Sequence, residues 1–97
     1  ITQHKNLLPV LTDYLDALSG GIAVLDAAGQ RAASRARIRL ILEMDVPPLV
    51  RIAQTSPDDA YRRTLGLFIR ALQDRADAES IPLDPAAAAV RGAAELW

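Results

Sequence analysis

Ninety-seven residues, 51% hydrophobic and 24% charged, make one small domain with one core rather than a disordered chain. The net charge of −1 provides no general attraction to nucleic acid or anionic lipid, and no uninterrupted apolar run approaches the ~18 residues of a membrane span. The lack of Cys excludes a disulfide scaffold, a thiolate zinc site and a Cys nucleophile, and a single His excludes a multi-His metal site within one chain.

Eighteen Ala and ten Arg against one Lys favour helix, while four aromatic residues leave little material for strands. Leu7, Leu8, Leu11, Leu15 and Leu18 lie on one helical stripe, so a helix is predicted over residues 7–18. Asn6 caps its start, Pro9 falls within the first turn, and Gly20-Gly21 ends it. Residues 22–29 (IAVLDAAG) read either as a strand entering a turn or as a short helix with a Gly stop; the Ala pair and the helical surroundings favour the helix.

Residues 30–45 are helical again. Ile38, Leu40, Ile41, Leu42 and Met44 leave almost no polar face, which predicts a central place in the core. Pro47-Pro48 stops this helix, and Pro48 starts a short one through Gln54. Ser56 as N-cap, Pro57 in the first helical position and Asp58-Asp59 at the positive end of the dipole start a helix to about Asp77, with Tyr61, Leu65, Phe68 and Leu72 as its stripe. Asp58–Arg62, Asp59–Arg63 and Arg70–Asp74 are spaced as surface ion pairs, and Gly66 suggests close approach of a neighbouring helix. After a loop from about Ala78 to Leu83, Asp84-Pro85 begins the last helix, whose one face carries Ala86, Val90, Ala93, Ala94 and Trp97.

No constellation carries enzymatic chemistry: His4 stands alone, the acid pair at 58–59 is explained by capping, and no Ser has a recognisable His and acid. Arg31, Arg35, Arg37 and Arg39 lie in a stretch without an acid, either an anion site or a solvated face; Arg37 is the best candidate for a buried role.

The order of signals resembles the regulatory body of TetR-family repressors. The segment QHKNLLPVLTDYLDAL (3–18), with Lys5, Leu7 and Leu8, is similar to the start of the helix that joins their DNA-binding head to the body. The stretch RARIRLILEMDVPPLVRIAQ (35–54) resembles their body helix and its Asp-Pro-Leu step, and IPLDPAAAAVRGAAELW (81–97) their last dimerising helix. Gly20-Gly21 and IAVLDAAG depart from that pattern, and IAVLDAAG is similar to the opening strand of PAS sensor domains.

The expectation is an all-α bundle of five to six helices, without cofactor or metal. Ile1 in place of Met and an apolar last residue suggest a piece of a longer protein, with a helix-turn-helix outside these residues. The resemblance implies a cytoplasmic bacterial regulator that is not an enzyme and touches DNA only through that head. It also implies a small-molecule inducer, expected between helices 7–18, 30–45 and 57–77 against Leu11, Tyr14, Arg37, Ile41, Met44, Tyr61 and Phe68. A homodimer is expected through helices 57–77 and 85–97, using Gly66, Leu72, Ala86, Val90, Ala93, Ala94 and Trp97. The alternative is a helical protein–protein adaptor without a ligand pocket.

Overall fold

The computed structural model describes residues 7–56, 58–95 and Trp97. The expected roles of His4, Lys5, Asn6 and Pro57 lie outside the described residues. Among those described, 84% are helical and there is no strand, so the PAS-like reading of residues 22–29 does not hold. The elements are α1 (Leu8–Ala27), α2 (Arg31–Leu40), a π-helical turn (Ile41–Asp45), α3 (Val46–Thr55), α4 (Asp59–Ala78) and α5 (Pro85–Ala94). Because α2, the π turn and α3 run on without a break, there are four helical rods rather than five or six.

Two expected helix ends are not ends. α1 passes through Gly20-Gly21, because Leu11, Leu15, Leu18 and Ile22 form one unbroken buried stripe. Burying Ile22 returns about 1.5–3 kcal/mol, enough to offset about 1 kcal/mol for each helical Gly. The stop falls at Gly29, whose φ of 71° is left-handed and open to Gly at little cost. There the N–H groups of Gly29 and Gln30 close the helix on Asp26 O and Leu25 O. As one 20-residue helix with mean hydropathy 1.3, α1 is long and apolar enough to cross a bilayer by length and composition alone. Only 22% of its 18-residue apolar window is buried.

The second exception is Pro47-Pro48. A proline in a continuing helix lacks its N–H and presses on the carbonyl four residues back. The π turn opens the ladder just before the pair, with Val46 N–H donating to Ile41 O, and the prolines then occupy the first turn of α3.

α4 packs against every other element and is the spine of the fold. Its cap is Asp58 rather than Ser56: the Asp58 carboxylate accepts from Ala60 N and Tyr61 N, while Ser56 Oγ accepts from Asp58 N. α5 begins as expected, with Asp84 accepting from Ala87 N and Pro85 in the first turn. The core is built from Leu15, Ile38, Ile41, Leu42, Val46, Leu65 and Ile69. Leu40 and Met44 are exposed, against the expectation that this whole stretch is central; each lies two residues from inward-facing Leu42 and so on another side of the helix.

Candidate functional site

The apolar surface not used by the core gathers in grooves. One lies between the start of α1, α3 and the start of α4, and encloses about 250 Å³. Leu7, Val10 and Tyr14 of α1 form one wall and Leu49 and Ile52 of α3 another; Leu11 and Tyr61 lie against them. Spacing explains the first wall: Leu7, Val10 and Tyr14 recur at helical intervals, rotated from the Leu11–Leu15–Leu18 core stripe.

Two tyrosines border this groove, whose lining is almost wholly apolar. Tyr14 donates to Asp45 Oδ1 at 3.0 Å, tying α1 to the π turn. That hydrogen bond, then desolvation, raises the Tyr14 pKa above its ordinary value. Tyr61 is only 3% exposed, and burial raises its pKa. Its hydroxyl has no hydrogen-bond partner among the described residues.

Leu11, Tyr14 and Tyr61 are thus brought together, and the other four expected pocket residues are not. Ile41 is wholly buried in the core, and Met44 is 64% exposed. Phe68 lines a separate groove of about 270 Å³ with Ile22, Ala23 and Leu72. Arg37 is exposed on a shallow groove between α1 and α2, beside Gly21, Val24, Ala36 and Leu40, so its expected buried role is not what the structure shows. The inward arginine is Arg35, which donates to Glu79 O. Leu7, expected on the core stripe with Leu11, is instead exposed on this wall, and Val10, Leu49 and Ile52 are not expected site residues, although the i, i+3, i+7 run of Leu7, Val10 and Tyr14 is there to read.

Most of the expected dimer residues pack within the chain. Val90 and Ala94 are buried, and a Cβ on Gly66 would lie 3.6 Å from Ala94 O and 3.6 Å from Trp97 Cβ. Leu72 is buried, Ala93 and Trp97 are half-buried, and Ala86 is exposed. The inward face of α5 is Ala87–Val90–Ala94, and it closes on α4. Arg70 donates to Ala94 O at 3.0 Å instead of pairing with Asp74, and Arg91 bridges Asp74 and Asp77. Arg62 pairs with Asp59, in place of the expected pairs Asp58–Arg62 and Asp59–Arg63.

A polar junction unforeseen in the sequence joins α1, α2 and α4. Arg75 grips Asp26 through two 2.7 Å hydrogen bonds and reaches Glu79 Oε2 at 2.7 Å. Buried Ser34 donates to Asp26 Oδ1 at 2.6 Å and accepts from Arg75 at 3.1 Å. The Arg75 contacts, then the Ser34 hydroxyl, lower the Asp26 pKa to about 2. Its partners are 8 and 49 residues away, beyond the reach of helix periodicity.

Against known proteins, no family model matches the chain, and searches of curated proteins and of solved structures find no match either.

Proposed function

We propose that the chain is the regulatory and dimerising body of a TetR-like transcriptional regulator, with a binding rather than a catalytic role. In this reading it works in the cytoplasm of a bacterium and acts on DNA only through a head outside these residues. The all-helical architecture and the capped Asp84-Pro85 start of the last helix support the resemblance. The observation that carries the ligand part is the apolar groove between Leu7 and Tyr61, whose lining includes Tyr61 with a hydroxyl that has no hydrogen-bond partner among the described residues. It suits a small, largely apolar molecule bearing one hydrogen-bonding group. The groove lies against the first turn of α1, so an occupant would bias the position of whatever precedes Leu7, a shift between two populations.

The test is thermal shift with small aromatic acids and neutral aromatic molecules. A rise in melting temperature that is lost in Ile52→Glu and reduced in Tyr61→Phe is the expected result; no rise with any ligand class removes the ligand part. A second reading, a helical adaptor for another protein, is favoured by the filled interior of Ile38, Ile41, Leu42, Leu65 and Ile69.

A further inference from the structure

The apolar side chains left exposed on α1 are not scattered. Val10, Tyr14, Ala17, Gly21 and Val24 recur at alternating intervals of four and three, the spacing of a seam between two packed helices. Val10 is 63% and Val24 68% exposed, and Ala17 is exposed. A Cβ built on Gly20 or Gly21 meets nothing within 4 Å, so the chain's own packing does not require glycine there. Next to this seam, exposed Ala33, Arg37, Leu40 and Met44 follow the same four-three-four spacing along α2 and the π turn. The molecule is a slab of 50 × 26 × 17 Å in which α4 packs on α1 and α2. Most domains bury an apolar face under a second layer.

We propose that a second copy of this chain covers the α1–α2 face, packed antiparallel about a two-fold axis at the level of Ala17. The sequence is self-complementary in that register. Val10 meets the partner's Val24, and Tyr14 enters the space over the partner's Gly20 and the partner's Gly21. Ala17 meets its own copy on the axis, where small side chains let the helices approach closely. The Tyr14–Asp45 hydrogen bond sets α2 antiparallel beside α1, so the same axis brings Leu40 opposite the partner's Met44. It also brings Arg37, which has no ion-pair partner among the described residues, to the partner's Asp45; the charges complement each other twice across the axis.

This inference deepens the dimer part of the proposed reading and moves its contact from α4–α5 to α1–α2. It is tested by sedimentation of the whole chain, beside Ala17→Glu and Ala17→Cys. The unmodified chain is expected to be a dimer. Ala17→Glu places two like charges on the axis at an exposed position, and is expected to weaken the dimer by about tenfold or more while the circular dichroism stays unchanged. The chain has no other cysteine, so Ala17→Cys should cross-link under mild oxidation, whereas Leu67→Cys on the exposed face of α4 should not. If Ala17→Glu does not fold, the cross-link decides. A dimer that survives Ala17→Glu, or that cross-links at Leu67→Cys and not at Ala17→Cys, overturns the assigned face and leaves the dimer standing. A monomer at all concentrations, or recovery on phosphatidylcholine vesicles in place of a dimer, overturns both.

Discussion

Asp26 shows how one residue can tie three helices and make the fold sensitive to acid. Its carboxylate is held at about 2 by Arg75 and Ser34, against 3.8 for the free side chain. A depressed folded pKa stabilises fully above the unfolded value, and the contribution is lost as pH falls through the folded one. The melting temperature is therefore expected to drop between about pH 4 and pH 2. Asp26→Asn should melt lower near neutrality and show a shallower acid slope; an equal slope in both proteins would assign the acid sensitivity elsewhere. Gln73 makes the opposite case. It is buried, donates to Ala87 O at 3.2 Å, and leaves its Oε1 without a partner among the described residues. Ala87 O sits inside α5, where the helical ladder supplies another donor. Gln73→Met is thus expected to stabilise the chain by about 1 kcal/mol, raising the melting temperature by roughly 4–8 °C in a calorimetric scan.

At the scale of elements, α5 belongs to its own chain's core. Its buried Val90 and Ala94 face α4, and Gly66 gives α5 room to approach. Val90→Glu or Ala94→Glu should destabilise by more than about 3 kcal/mol, read as loss of helix signal and melting temperature rather than as dissociation of folded subunits. Gly66→Ala should stay within about 1 kcal/mol of neutral, because its gain in helix propensity offsets a 3.3 Å contact that the flexible Arg70 guanidinium can relieve. Gly66→Leu should displace α5. Several local signals were legible, Asp84-Pro85 as a start, Gly29 as a stop and the apolar stripe of α4, although the cap of α4 fell on Asp58 and not on Ser56. They misled where packing outweighs propensity. Gly20-Gly21 reads as a stop only if Ile22 has nowhere to be buried, and Pro47-Pro48 only if the ladder cannot widen. The small-residue stripe of α5 looks the same in sequence whether it meets its own chain or another. The candidate groove was legible in part, since Leu11, Tyr14 and Tyr61 share helix faces with it, whereas the side of α3 that carries Leu49 and Ile52 depends on the π turn.

At the scale of the whole molecule, shape carries information that residue patterns lack. A compact chain of this length has a radius of gyration of about 12–13 Å, against 14.0 Å here. The excess reflects a slab 50 Å long and 17 Å thick, and exposed Val10, Val24, Leu40 and Met44 lie on α1, α2 and the π turn. Stacking two slabs through their thin dimension adds little to the radius, taking it to about 16–17 Å, whereas joining them along the long axis would give about 28 Å. Small-angle scattering from the dimer is expected to return the smaller value. The dilution series should fall toward 14 Å as subunits separate. A dimer near the larger value would leave α1–α2 bare on both copies, and that face would then need another partner. The two sites also share a helix. Val10 and Tyr14 line the apolar groove and belong to the α1 seam, so in the proposed dimer an occupant that shifts Tyr14 would alter the contact over the partner's Gly21. Ligand and dimer are then linked reciprocally: whatever factor the ligand adds to subunit affinity, dimerisation adds to ligand affinity. Scattering with and without an aromatic acid that raises the melting temperature measures that coupling directly, and equal dimer dissociation in both conditions would mean the two sites act independently.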